Sequence, residues 1–241
     1  MNGSELKKAY GDYYNDSITE WREFAAFYKA ENIAKLTSDL KVSKVLEVGA
    51  GEGAILHWLD KWKFASELYA IEISESGVEY TKKRSIPSLK EIKLFDGYNI
   101  PYPDNHFDLV VCSHVMEHVE HPRLLLREIR RVSKHQVFEV PIDFSFQVDK
   151  KLDYYLRYGH INIFTPSLFR FLLKSEGFTV VKNRPTMFSA PILKRMFKNP
   201  IKRLVISIKQ LLIKIIPGLI DIKPSHFAVL TKSNDKGLEI L

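Results

Sequence analysis

The chain has 241 residues, 45% of them hydrophobic, and a formal net charge of +7; that suffices for one domain with a full core and an added segment. Its single cysteine, Cys112, excludes an intrachain disulfide and fits a reducing compartment. No apolar run reaches the roughly 18 residues that a membrane-spanning helix needs, and Met1-Asn2-Gly3-Ser4-Glu5-Leu6-Lys7-Lys8 is not a signal peptide, so a cytoplasmic location is expected.

Residues 1–40 read as a helical lead: Ser17 or Thr19 caps a helix to about Leu36, with Trp21, Phe24, Ala25, Tyr28 and Ile33 on one face. Strand 44–48 then enters Glu47-Val48-Gly49-Ala50-Gly51-Glu52-Gly53, three glycines at alternate positions, ahead of helix 53–62. Glycine lets the backbone turn tightly and lets a ligand approach the main chain. The helix start offers free N–H groups and a positive dipole end. This is a nucleotide-type site, although its spacing is not the G-x-G-x-x-G of dinucleotide folds.

Strand 67–73 ends in Glu72-Ile73, about 20 residues beyond the loop, where an acid is placed to accept from ribose hydroxyls. Helix 75–84 leads to strand 91–95, which ends in Asp96-Gly97. Pro101-Tyr102-Pro103-Asp104-Asn105 precedes strand 107–113, which contains Cys112 as a small core residue and ends at Ser113. His114-Val115-Met116-Glu117-His118 follows. Its H-x-x-E-H form matches an inverted zinc-protease motif, but it follows a strand rather than sitting within a helix, so no zinc is expected. Helix 122–132 and strand 136–140 complete an alternation that argues a parallel α/β sheet. Residues 141–164 read as a loop carrying substrate contacts, with Gly159-His160 near its end. Thr165-Pro166 starts a helix to Ser175 with Gly177 beyond it. Strands 178–183 and 226–232 close the pattern.

The order of these motifs resembles the class I S-adenosylmethionine (SAM) methyltransferases, over residues 40–185 and the last strand. The resemblance implies a Rossmann-like, seven-stranded, mostly parallel sheet with a C-terminal antiparallel hairpin, and a helical lead that covers the cofactor pocket. It implies SAM as cofactor. Glu47, Gly49, Ala50, Gly51 and Gly53 would surround its methionine part and Glu72 with Ile73 its ribose. Asp96 with Gly97 would meet its adenine, and Ser113 with His114 the region of the transferred methyl. The Glu117-His118 pair resembles a subset that includes ubiquinone-biosynthesis O-methyltransferases and small-RNA 2′-O-methyltransferases. Some members of that subset hold a divalent metal through E-x-x-E-H and a later His. The first Glu of that pattern is His114 here, so no metal is expected. For a hydroxyl acceptor, His118 or His160 would serve as base and Glu117 would orient one of them. An amine or carbanion acceptor needs no strong base, and these residues alone leave the choice open.

Residues 189–223 hold eight basic residues (Lys194, Arg195, Lys198, Lys202, Arg203, Lys209, Lys214, Lys223) against Asp221, which equals the net excess of the whole chain. They fill a connection where a short hairpin turn would suffice. Ile201 to Ile216 carries helical spacing, with Ile201, Leu204, Val205, Ile208, Leu211, Leu212 and Ile215 forming an apolar stripe, Ile206 and Ile213 outside it, and Pro200 as an interruption. Such a helix suits an anionic membrane surface, at the inner face of a membrane; the plain alternative is packing on its own core or on a second subunit. Its basic residues alternate with aliphatics rather than base-stacking aromatics, which argues against nucleic acid. The expected organisation is therefore a lead (1–40), a SAM-binding core (41–188), a basic amphipathic insert (189–223), and the last strand with a tail (224–241). The expected acceptor is a small molecule, a sugar or a lipid-linked precursor, accepting through oxygen. RNA methylation and a non-catalytic partner subunit are the alternatives.

Overall fold

Strands flanked by helices on both faces need apolar side chains on both faces, and four runs of this chain supply them. The computed structural model describes residues 16–144, 148–216, 218–219 and 224–233. Asp221, Lys223, the first residues of the lead and the end of the tail fall outside that set. The strands are β1 (Lys44–Val48), β2 (Glu67–Glu72), β3 (Leu89–Leu94), β4 (Leu109–Ser113), β5 (His135–Pro141), β6 (Phe178–Thr186) and β7 (His226–Ser233). They form one sheet in the order β3-β2-β1-β4-β5-β7-β6. All the pairs from β3 to β5 are parallel, while β7 runs antiparallel to both β5 and β6. This is the expected Rossmann-like sheet with its terminal hairpin. Chain order reverses between β1 and β4, and in such sheets the carboxyl ends of those strands open a crevice.

Two cores cover the sheet. On one face α1 (Asp16–Leu36) and α2 (Ala54–Lys61) bury Ala26, Ala30, Ile33, Leu36, Ile55, Leu56 and Leu59. On the other, α4 (Pro122–Val132) and α6 (Pro166–Ser175) bury Leu125, Leu126, Ile129, Phe169 and Leu173. Helix α3 (Glu75–Lys83) is capped by Ser74, whose hydroxyl accepts from the Gly77 N–H. The expected face of α1 is rotated: Ala26 and Ala30 lie against the sheet rather than Phe24 and Tyr28, because small side chains let the helix approach closely. Ser17 and Thr19 lie inside α1 rather than at its cap. Arg184 Nε donates to Asn32 Oδ1 (2.8 Å) and Asn32 Nδ2 donates to the buried Glu139 (3.1 Å), tying α1 to β6 and β5.

Three local expectations change. Residues 148–157 of the expected loop form a 3-10 turn and α5 (Leu152–Arg157). The described residues of the insert include two helices, α7 (Ala190–Met196) and α8 (Pro200–Ile215), where one was expected. Pro200 starts α8 instead of interrupting it, since its missing N–H costs nothing at a first turn, and Asn199 Oδ1 accepts from the Ile201 and Lys202 N–H groups. Among the described residues no helix is long and apolar enough to cross a membrane.

Candidate functional site

The carboxyl ends of β1, β2 and β4 open into a cleft of about 570 Å³, within the range of small-molecule sites. Its floor is the glycine loop. Gly49, Gly51 and Gly53 all adopt positive φ (71°, 56° and 75°), the region that side chains avoid. A Cβ on Gly49 would lie 2.4 Å from Val115 Cγ2. Glu72 holds the loop from β2: its Oε2 accepts from the Gly51 N–H (2.8 Å) and its Oε1 from the Ser74 N–H (2.9 Å). Burial raises its pKa, and these backbone bonds oppose the shift.

Of the expected cofactor residues, Glu47, Gly49, Ala50, Gly51, Glu72, Ile73, Asp96, Gly97, Ser113 and His114 line this cleft. Gly53 does not. It is the left-handed cap of α2, and a Cβ there would meet Thr81 Cγ2 at 2.9 Å, so its glycine serves the packing of α2 on α3. Asp96 closes its own turn, accepting from the Tyr98 and Asn99 N–H groups at 2.8 and 2.7 Å.

The roof comes from α1. Trp21, Arg22, Ala25, Ala26 and Lys29 face the cleft. Arg84 fastens this helix to the loop, donating to Glu23 Oε2 (2.6 Å) and to Glu52 (Oε1, 3.2 Å, and the backbone carbonyl, 2.5 Å). The sequence reading missed Lys29. Burial lowers its pKa, against the opposing pull of Glu139, Glu117 and Glu47. Glu47 is itself pushed up to about 8 by burial, although Lys29 pulls it down. Glu139, also missed, is pushed up to about 7 by burial. The signal for Lys29 was present in the spacing of Arg22, Ala25 and Lys29 on one face of a helix.

The far end of the cleft is built by the turn after β4. His114 has φ 57° and donates its N–H to the Glu139 carbonyl (2.8 Å), which swings the chain away from the sheet. Asn162 Nδ2 donates to the Met116 and Val119 carbonyls (3.2 and 2.7 Å), and the N–H groups of Ile161 and Asn162 donate to the Glu117 carbonyl. The segment after Gly159 is therefore clamped to this turn. His118 and His160 meet here, ring centroids 4.9 Å apart. His118 lines the cleft, while Glu117 and His160 lie just behind it. His118 Nδ1 donates to the Gly159 carbonyl (2.9 Å) and His160 Nδ1 to Asp143 Oδ2 (2.6 Å). In each neutral imidazole Nδ1 thereby carries the proton and Nε2 the lone pair. Burial lowers the pKa of His118. Burial also pulls on His160, but the Asp143 carboxylate outweighs it, and its pKa rises. Glu117 is fully buried, neither of its carboxylate oxygens has a hydrogen-bond partner among the described residues, and burial raises its pKa. Its Oε1 lies 3.2 Å from His114 Nδ1 and 3.9 Å from His118 Nε2.

Glu117, His118 and His160 each bring one ligand atom within 4.8 Å of the others. With both Nδ1 positions engaged by oxygen acceptors, the set has the form that holds a divalent ion through two imidazoles and a carboxylate. His114 stands outside this group.

Comparison with known proteins follows the same outline. Residues 46–138 match a family model described as a methyltransferase domain. An uncharacterized methyltransferase of Schizosaccharomyces pombe is 30% identical over 103 residues, 39% of this chain and 37% of that one. The ubiquinone/menaquinone biosynthesis C-methyltransferase UbiE of Cupriavidus necator is 30% identical over 105 residues, 42% and 43% of the two chains. The chain thus spans less than half the length of these relatives. Among solved structures, a chain from the Haloferax volcanii complex between the Trm112 methyltransferase activator and a methyltransferase superposes with TM-score 0.64 at 14% identity, over 92% of this chain and 99% of that chain. A SAM-dependent methyltransferase of Archaeoglobus fulgidus superposes with TM-score 0.59 at 18% identity, over 88% and 94%. At such identities the superpositions establish the fold alone.

Proposed function

We propose that the chain is a SAM-dependent methyltransferase acting on a small-molecule, sugar or lipid-linked acceptor, a reading supported by the match of residues 46–138 to a methyltransferase domain model. One observation carries this reading: a single cleft joins the glycine loop and Glu72 to His118. The residues fit the cofactor. The loop is free of side chains where its backbone must be approached, and Glu72 is held by two backbone N–H groups with lone pairs left for ribose hydroxyls. Among the described residues Glu47 Oε2 and the Glu117 oxygens are buried without a hydrogen-bond partner, an arrangement that suits a cationic or hydrogen-donating guest. When bound, SAM supplies an electrophilic methyl on a sulfonium, and the transfer is an in-line displacement that needs mainly alignment. Glu72 fixes the ribose, Gly49 and Gly51 fix the methionine portion, and Lys29 and Arg22 offer positive charge from the roof. His118, its pKa lowered by burial and its lone pair on Nε2, takes a proton from an oxygen acceptor; Glu117 stabilises the imidazolium that forms, and His160 with Asp143 forms the adjoining wall.

Carbon is the second accepting atom to consider, favoured by the C-methyltransferase names of matched relatives, and a base at His118 serves an activated carbon acid equally. Incubation with methyl-labelled SAM and fractionated cell extract tests the reading. Label is expected in a small-molecule or lipid fraction, lost with His118→Ala. Label in RNA would redirect it, and no transfer to any fraction would remove it.

A further inference from the structure

Helix α8 is mounted with its apolar side outward. Ile201, Leu204, Val205, Ile208, Leu211, Leu212 and Ile215 are each 47–71% exposed. The side turned to the body carries Arg203, Ile206, Gln210 and Ile213, and of the whole helix Gln210 alone is buried. At 3.6 residues per turn the outward stripe and this inward side are opposite faces. Lys202 and Lys209 flank one edge of the stripe, and Lys214 lies along the other. Seven exposed aliphatic side chains thus form one contiguous apolar stripe, and large exposed apolar patches mark interaction sites.

The mount is specific. α7 buries Ile192 and Leu193, Arg195 lies over the ring of Phe24 on α1 (5.7 Å), Arg203 donates to the Phe197 carbonyl (3.2 Å), and Asn199 caps α8. α8 is therefore fastened through its N-terminus to α7, which itself rests on the helix that roofs the cleft. Across the cleft mouth, Tyr158 lines the opening, and it is more than half exposed, as are its neighbours Tyr154 and Leu156.

We propose that the outward face of α8 docks on an anionic lipid bilayer, the apolar stripe entering the headgroup boundary and the flanking lysines reaching lipid phosphates. Charge selects this occupant. No acidic residue occurs between Ser189 and Ile220. A two-fold dimer through this face would place the same patch against itself, setting basic residues against basic residues. Nucleic acid would meet aliphatic side chains where it needs stacking surfaces. Lysines at the edges of an apolar stripe are the arrangement that lets ammonium groups reach upward while their stems cover apolar surface. The inference does not rest on the methyl-transfer reading, since binding is measured without cofactor.

The test is co-sedimentation of the full chain with vesicles of phosphatidylcholine alone and of phosphatidylcholine with phosphatidylglycerol. Binding is expected only with the anionic lipid, and it should weaken as salt shortens the Debye length. Each lysine near such a surface contributes about fivefold in partition, so Lys202→Glu with Lys209→Glu and Lys214→Glu should reduce binding at least roughly 100-fold. Leu204→Ser with Ile208→Ser and Leu211→Ser should abolish it while leaving the circular dichroism and melting temperature unchanged, because those side chains point away from the body. The proposal is overturned if the intact chain ignores anionic vesicles, if the triple serine variant binds as well as the parent, if the serine variant melts earlier because the stripe is core, or if sedimentation shows a dimer that the same variant dissolves.

Discussion

Glu72→Gln tests the centre of the site. In the parent, one carboxylate satisfies two backbone donors, Gly51 N–H at 2.8 Å and Ser74 N–H at 2.9 Å. An amide keeps one acceptor oxygen and turns its NH2 toward the other N–H. One bond to a charged acceptor becomes neutral and loses about half its strength, and one buried donor is left unpaired at about 1–3 kcal/mol. Against this, the variant no longer buries a charge, and burial already raises the Glu72 pKa. The net loss is about 1–3 kcal/mol, which for a domain of this size lowers the melting temperature by roughly 2–10 °C. Affinity for S-adenosylhomocysteine should fall about 10–100-fold, the loss of one to two hydrogen bonds to a charged acceptor. Scanning calorimetry reads the first effect and titration calorimetry the second. A variant that melts with the parent and binds as tightly would refute both the loop-holding and the ribose-holding roles of Glu72.

Gly53→Ala, placed at φ 75° against Thr81, should cost about 2–4 kcal/mol in denaturant unfolding, whereas Gly218→Ala, with open space around it, should cost only about 1 kcal/mol of backbone strain. Stability without cofactor should rise as pH falls from about 8.5 to 7. Glu47 and Glu139 bind protons in the folded chain at about 8 and about 7 but near their ordinary values when unfolded, so the folded state holds more protons over this range. The rise should flatten below pH 6.5, where His114 and His226, both lowered by burial, favour the unfolded state. A pH series of melting temperatures in the parent and in Glu47→Gln checks this, and stability that increases from pH 7 to 8.5 would contradict it. His118→Ala should cut turnover by about 100-fold with cofactor affinity within twofold; proportional loss of both would make the residue structural. Asp143→Asn should lower the His160 pKa, because the carboxylate is what raises it; histidine proton shifts in an NMR titration report the change.

The parts of the site written into local backbone chemistry were legible. Glu47 to Gly53 announced a strand, a positive-φ loop and a helix, and Glu72 lay at the end of the next strand, as its spacing required. The partners made by tertiary packing were not. Lys29 and Glu139 are 110 residues apart, and only the seating of α1 across the sheet brings their charges together. Asp143 lay within a segment read as a substrate loop, with nothing local to tie it to His160. Periodicity found the stripe of α8 but was silent on its direction, because a hydrophobic pattern predicts burial and here the opposite side, with Arg203, Ile206, Gln210 and Ile213, is the one turned inward. Pro200 was read as a break because a proline inside a pattern and one at its first turn look alike until the cap at Asn199 is seen.

The most direct measurement is titration calorimetry of the purified chain with S-adenosylhomocysteine, alongside Gly51→Trp. Gly51 has φ 56° and lines the cleft floor, so an indole there both strains the loop and fills the space the ligand needs. The account predicts micromolar, one-to-one binding to the parent and none to the variant. No detectable heat with the intact, folded chain, or equal binding by the variant, would contradict it.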